Sequence, residues 1–207
     1  MSIMIKPPPP LLTDKLCARD RILAAAAELF YREGIRAVGI DTVIEKAGVA
    51  KMSLYRAFPS KDDLVAAFLE QRNERYWAWW DSVMARSQGD PRQQLRDLFT
   101  ALAKRTTSPE YRGCAFVNTA VEFPDHDHPG RAVAEANKRE LRRRLNGLAA
   151  GLGIATAPLL ADQLLLLMEG AYSAGNTLGS DGPSAAVAEA AEALIQFHLT
   201  PKGVTSP

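Results

Sequence analysis

From about Leu16 to Leu199 the apolar residues recur three and four places apart, in segment after segment. That spacing gathers them on one face of an α-helix. Nowhere do apolar and polar residues alternate in a sustained run between hairpin turns, so no sheet is predicted. The chain is expected to be all-α. Glycine and proline mark where the helices stop and start. A first helix covers about Leu16 to Glu33, built on Ile22, Leu23, Ala26, Leu29 and Phe30 and stopped by Gly34. Short helices over about Ile40–Ala47 and Lys51–Phe58 are closed by Gly48 and Pro59. Ser60 and Asp63 make a capping-box-like start, with Asp in place of the usual Glu or Gln, for a long fourth helix to about Ala85. Asp90-Pro91 opens a fifth, to about Lys104. The rest cover about Cys114–Phe123, Arg131–Ala150, Pro158–Leu178 and Ser184–Leu199.

With 207 residues, 47% of them hydrophobic, the chain can bury a substantial core as one or two compact domains. Its two cysteines, Cys17 and Cys114, are too few for a disulfide framework and fit a reduced cytoplasm. No apolar run is long enough for a membrane span, and the N-terminus lacks the apolar stretch of an export signal. Residues 1–15, with Pro7–Pro10, read as a flexible proline-rich arm, and 201–207 as a flexible tail. The net charge of +1 conceals a split. Residues 1–61 hold an excess of four positive charges, which points to an anionic partner for the N-terminal part, nucleic acid first among them.

Residues 40–58 are the most informative stretch. Two short helices flank Ala47-Gly48-Val49, where Gly48 can take a left-handed backbone and Val49 can plug the angle between them. That is a helix-turn-helix, whose second helix is free to enter a major groove. In Lys51-Met52-Ser53-Leu54-Tyr55-Arg56-Ala57-Phe58, the pair Leu54 and Phe58 is spaced to face inward. Lys51, Ser53, Tyr55 and Arg56 can face out, offering cations and hydroxyls to phosphates and base edges. Lys61 can add a backbone contact. Arg19 and Arg21 read as surface charges near the DNA side.

This run, from Ile22 to Leu64, resembles the DNA-binding domain of the TetR/AcrR family of bacterial transcriptional regulators. The marks are Ala26, Phe30, Gly34, Ala47-Gly48-Val49, Leu54-Tyr55, Phe58, Ser60-Lys61 and Leu64. The resemblance implies a helix-turn-helix domain over 16–60 and a ligand-binding and dimerisation bundle over 61–200. It implies a homodimer on a palindromic operator, released by a small effector, with Lys51, Met52, Ser53, Tyr55, Arg56 and Lys61 at the DNA. The chain departs from the family pattern at Gly39 and Ala50, where hydroxyl residues usually cap the two short helices. Ile44 replaces a small residue. Met52 replaces a Gly and is placed to touch a base or a thymine methyl.

In the C-terminal part, Trp77, Trp80, Phe99, Phe116, Glu122, Met168 and Tyr172 are candidates to line an effector site, since such sites are mostly apolar with a few polar groups. Filling a bundle core is the competing role for each. His126 and His128 lie in an acidic loop without helical ligand spacing, so no metal is predicted. The Lys138–Arg144 run reads as a solvated helix face. The last two helices carry more apolar and small residues than one bundle needs, which predicts a two-fold four-helix interface between copies.

No nucleophile elbow, P-loop or paired Glu-x-x-His motif is present, so an enzyme is not expected, nor a cofactor. The favoured function is a ligand-responsive repressor; a DNA-binding regulator without an effector, or an activator, is the alternative.

Overall fold

A computed structural model describes residues 17–200. The proline-rich arm and the predicted tail lie outside the described residues. Among these residues the chain forms nine α-helices and no strand: α1 (Ala18–Glu33), α2 (Ile40–Ala47), α3 (Lys51–Ala57), α4 (Lys61–Met84), α5 (Pro91–Thr106), α6 (Ala115–Glu122), α7 (Pro129–Ala150), α8 (Ala157–Leu178) and α9 (Val187–Leu199). They divide into two compact units, the first ending at Phe68 and the second beginning at Leu69, so the boundary falls inside α4.

The first unit is α1 to α3 with the start of α4. Its core is Ile22, Ala26, Phe30, Val43, Leu54, Phe58, Leu64 and Phe68, all essentially inaccessible to water. The ring of Phe30 meets Phe68 edge-on at 5.7 Å. Gly34 ends α1 at φ 93°, and Gly48 ends α2 in the left-handed region at φ 61°. The capping box at α4 forms: the Asp63 amide donates to Ser60 Oγ at 3.1 Å, and the Ser60 amide to Asp63 Oδ2 at 3.0 Å.

The second unit is a helical bundle. Its packing turns on Gly175 of α8, where a Cβ would stand 2.5 Å from the Thr106 carbonyl oxygen of α5. Glycine there permits the close crossing of the two helices. Ion pairs tie the layers. Arg92 and Arg96 of α5 both reach Glu192 of α9, at 2.9 and 2.6 Å. Arg144 of α7 reaches Asp81 of α4 at 2.8 Å, and its guanidinium lies 4.2 Å from the Trp77 ring centroid.

Two of the helix ends that differ from expectation have a local cause. Helix α7 starts at Pro129, two residues before the expected Arg131, because His128 caps it: Nδ1 accepts from the Gly130 amide at 3.1 Å. Proline at the first helical position has no amide to leave unsatisfied. Before α9, Pro183–Ala186 winds as a tighter 3-10 turn, and the α-helix begins only at Val187.

Candidate nucleic-acid interface and effector region

The turn between α2 and α3 is set by backbone bonds that end α2. The Gly48 amide donates to Glu45 O at 3.1 Å and the Val49 amide to Ile44 O at 3.3 Å. Helix α1 braces the same turn. Arg21 donates from Nε and Nη2 to the Ala47 carbonyl at 3.0 and 2.7 Å, and from Nη2 to the Gly48 carbonyl. A cation on the last carbonyls of a helix suits the negative end of its dipole. The surface reading of Arg21 missed this, because the partner lies 26 positions away.

Helix α3 then presents two faces. Leu54 and, just past its end, Phe58 are buried, while Lys51, Met52, Tyr55 and Arg56 are exposed and Ser53 is half-buried. Tyr55 is 42% exposed, so it is not a core residue, and Met52 is 72% exposed. Lys51 Nζ is held 3.0 Å from Asp41 Oδ1, whose carboxylate keeps the ammonium above its ordinary pKa. Lys61, half-buried, donates to the Val38 carbonyl at 2.7 Å and lies 6.0 Å from the Phe30 ring centroid. Arg19 lies over Phe58 at 5.0 Å. Neither Gly39 nor Ala50 supplies a side-chain cap to the helix it precedes. The six predicted residues thus lie on one short helix and the start of α4, within the same unit.

In the second unit, Trp80, Phe99, Phe116, Met168 and Tyr172 are buried, while Trp77 and Glu122 are half-buried. The structure brings some of them together. Trp77 and Trp80 meet at 5.9 Å, and Phe116 and Tyr172 converge on Tyr76, which sequence reasoning passed over beside its conspicuous tryptophan neighbours. The Tyr76 and Tyr172 hydroxyls are 3.2 Å apart, and burial pushes both phenols above the ordinary range. Phe99 and Met168 are core residues with no accessible surface.

The open space lies elsewhere. A groove of about 510 Å³ runs between α6, α7 and α8; Phe116 lines it, together with Val117, Leu165 and the Lys138–Glu169 ion pair, among others. Sequence spacing places Lys138 in a solvated run. It is instead half-buried, 2.6 Å from Glu169 and 3.5 Å from Cys114 Sγ. Arg139, Arg142 and Arg143 are exposed as expected and paired to Glu135, Asp162 and Glu140, whereas Arg144 is half-buried against Trp77. His128 stacks on Phe123 at 3.9 Å, and His126 accepts from Arg131 at 3.3 Å. Among the described residues no group of three or more His, Cys, Asp or Glu is placed to hold a metal ion.

Comparison with known proteins bears on this arrangement directly. Residues 22–68 match the model of the bacterial regulatory proteins, tetR family. A TetR-family transcriptional regulator from Streptomyces coelicolor superposes with a TM-score of 0.84 at 31% identity, covering 88% of this chain and 96% of that one. The chain belongs to the TetR family. Like that family's members it is a helix-turn-helix transcriptional regulator, not an enzyme. The transcriptional regulator YjdC of Escherichia coli is 24% identical over 155 residues, covering 75% of this chain and 81% of YjdC. The transcriptional repressor ComR of Escherichia coli is 29% identical over 113 residues, 54% of either chain. The TetR-family match within 22–68 includes every residue of the turn and of α3.

Proposed function

We propose that this TetR-family regulator binds a palindromic operator as a homodimer, represses transcription there, and releases the DNA when a small, largely apolar effector enters the second unit. The observation that carries the DNA half of this reading is α3 itself, an exposed helix on a buried Leu54–Phe58 base. Lys51, Ser53, Tyr55 and Arg56 supply phosphate and base-edge contacts, Met52 an apolar contact to a thymine methyl, and Lys61 a backbone contact. One such helix reads few base pairs; two on a two-fold axis read a palindrome with half-sites about 34–36 Å apart, or a multiple.

Support for the dimer comes from apolar side chains left in water. Leu159 and Leu166 stand exposed on α8, and Phe197 on α9. Gly170 lies on the exposed side of α8 with open space around it. A second copy packing its own α8 and α9 there would cover them in a self-complementary interface. The repressor sense follows ComR, which is named for that role. A regulator of this kind works in the cytoplasm, and no helix among the described residues is long and apolar enough to cross a membrane.

A gel-shift titration against DNA flanking the protein's own gene, repeated across salt concentrations, tests the reading. A shift that competitor DNA does not erase, with affinity falling as salt rises, supports it. Absence of any preferred site, there and in selection from random DNA, would sink it. A reporter driven from the bound site separates repression from activation.

A further inference from the structure

We propose that the groove between α6, α7 and α8 takes a neutral, mainly apolar molecule carrying one hydrogen-bond donor, and that an anionic compound is rejected there. This inference rests on the ligand-response reading above for its regulatory meaning. At about 510 Å³ the groove has the size of small-molecule sites, and its walls are mostly apolar: Phe116, Val117, Ala120 and Val121 from α6, Ala134 from α7 and Leu165 from α8. Val121 is 77% exposed at its lip, apolar surface that a ligand would cover.

The charged groups in the walls decide the class. Arg131 and Lys138 bring two positive charges, Glu135 and Glu169 two negative ones. Each is already engaged. Arg131 Nη1 donates to the carbonyls of Ala120 and Phe123 at 2.7 and 3.1 Å, and its Nε to His126 at 3.3 Å. Lys138 is bound to Glu169 and lies 5.1 Å from the Tyr172 ring centroid, a cation held on two sides. Glu135 receives Arg139 from outside the groove. An incoming anion would have to draw Lys138 from Glu169 or Arg131 from its carbonyls, or else sit beside the two carboxylates, and both are unfavourable. A neutral hydroxyl or N–H meets no such obstacle. The Glu169 carboxylate has acceptor positions beyond the one that Lys138 uses, so it can take a ligand's proton donor while the ion pair stays intact.

The test uses two dyes that share one skeleton, N-phenylnaphthylamine, neutral with one N–H, and its sulfonated anionic relative anilinonaphthalene sulfonate. Both are titrated by fluorescence into the full-length protein. The neutral dye should bind saturably and the sulfonate at least about tenfold more weakly. Ala120→Trp, which fills the groove, should weaken the neutral dye by about tenfold or more, and Val121→Asp by several-fold. Leu178→Asp, which removes an exposed apolar side chain outside the groove, should leave it unchanged. Circular dichroism checks folding; Val121 is so exposed that its variant keeps the test alive should Ala120→Trp unfold. Equal binding of the two dyes in a manner sensitive to Ala120→Trp would overturn the charge rule, and dye binding indifferent to both groove variants would overturn the site. An effector that releases operator equally from wild type and Ala120→Trp overturns the groove assignment and leaves ligand response standing. A saturable groove with no compound that releases DNA does the reverse.

Discussion

Arg21, in the first turn of α1, donates two hydrogen bonds to the carbonyl oxygen of Ala47, the last residue of α2. One side chain thereby fixes α1 against the turn that aims α3, and its charge neutralises the end of the α2 dipole. Arg21→Lys keeps the charge but loses the planar fork that spans the two carbonyls. The substitution should cost the brace about 1.5–3 kcal/mol, the usual worth of hydrogen bonds to a charged group. Amide hydrogen exchange across α2 should quicken by roughly ten- to a hundredfold. Unchanged exchange would mean the brace is redundant.

Ala50 sits at the N-cap of α3 with an extended backbone and no side chain to accept from the first turn. Ala50→Ser supplies that acceptor and should stabilise the first unit by about 0.5–1 kcal/mol, seen as slower exchange in α3. The same hydroxyl would face the proposed DNA side, so operator affinity should rise as well.

The ion pair with Asp41 competes with the DNA contact proposed for Lys51. Lys51→Ala should weaken operator binding and reduce the salt slope by about one phosphate contact. Asp41→Asn should act in the opposite direction, because it removes a carboxylate beside the proposed phosphate path and frees the ammonium. Equal salt slopes for Lys51→Ala and wild type would remove Lys51 from the interface.

Glu192 joins α9 to α5, and the Arg96 guanidinium, helped by Arg92, holds its carboxyl at about 2, against an ordinary 4.5. A carboxyl with a depressed folded pKa stabilises the fold fully above its unfolded pKa, and that contribution fades as pH falls through 4.5 toward 2. The pair is partly exposed, so screening limits its worth to about 1 kcal/mol. Glu192→Gln should lower the urea midpoint at neutral pH and converge on wild type under acid. A constant difference across that window would exclude the ion pair as its origin.

Much of this molecule is legible in the sequence, and the reason is local. Gly34, Gly48, Pro59 and Asp90-Pro91 are short-range signals, and they mark helix ends wherever the backbone itself demands them. The α7 start escaped because His128 is an uncommon cap, and the 3-10 turn after Gly182 because Pro183 permits either winding. The proposed DNA surface falls within one contiguous stretch, Lys51 to Lys61, so helical spacing alone separates Leu54 and Phe58 from their exposed neighbours. The groove has no such contiguity. Ala120, Lys138 and Leu165 come from three helices, and only their packing shows that Lys138 leaves the arginine run to pair with Glu169. Large aromatics drew attention to Phe99 and Met168's neighbourhood, yet burial in a core and lining of a cavity demand the same residue types.

The most direct measurement is footprinting of the full-length protein on DNA selected from random sequence. Two protected half-sites related by a two-fold axis, centred about 34–36 Å apart or a multiple of that, and lost together in Tyr55→Ala, are the expected result. Protection of a single asymmetric site, or protection that survives Tyr55→Ala unchanged, would contradict a dimer reading its operator through α3.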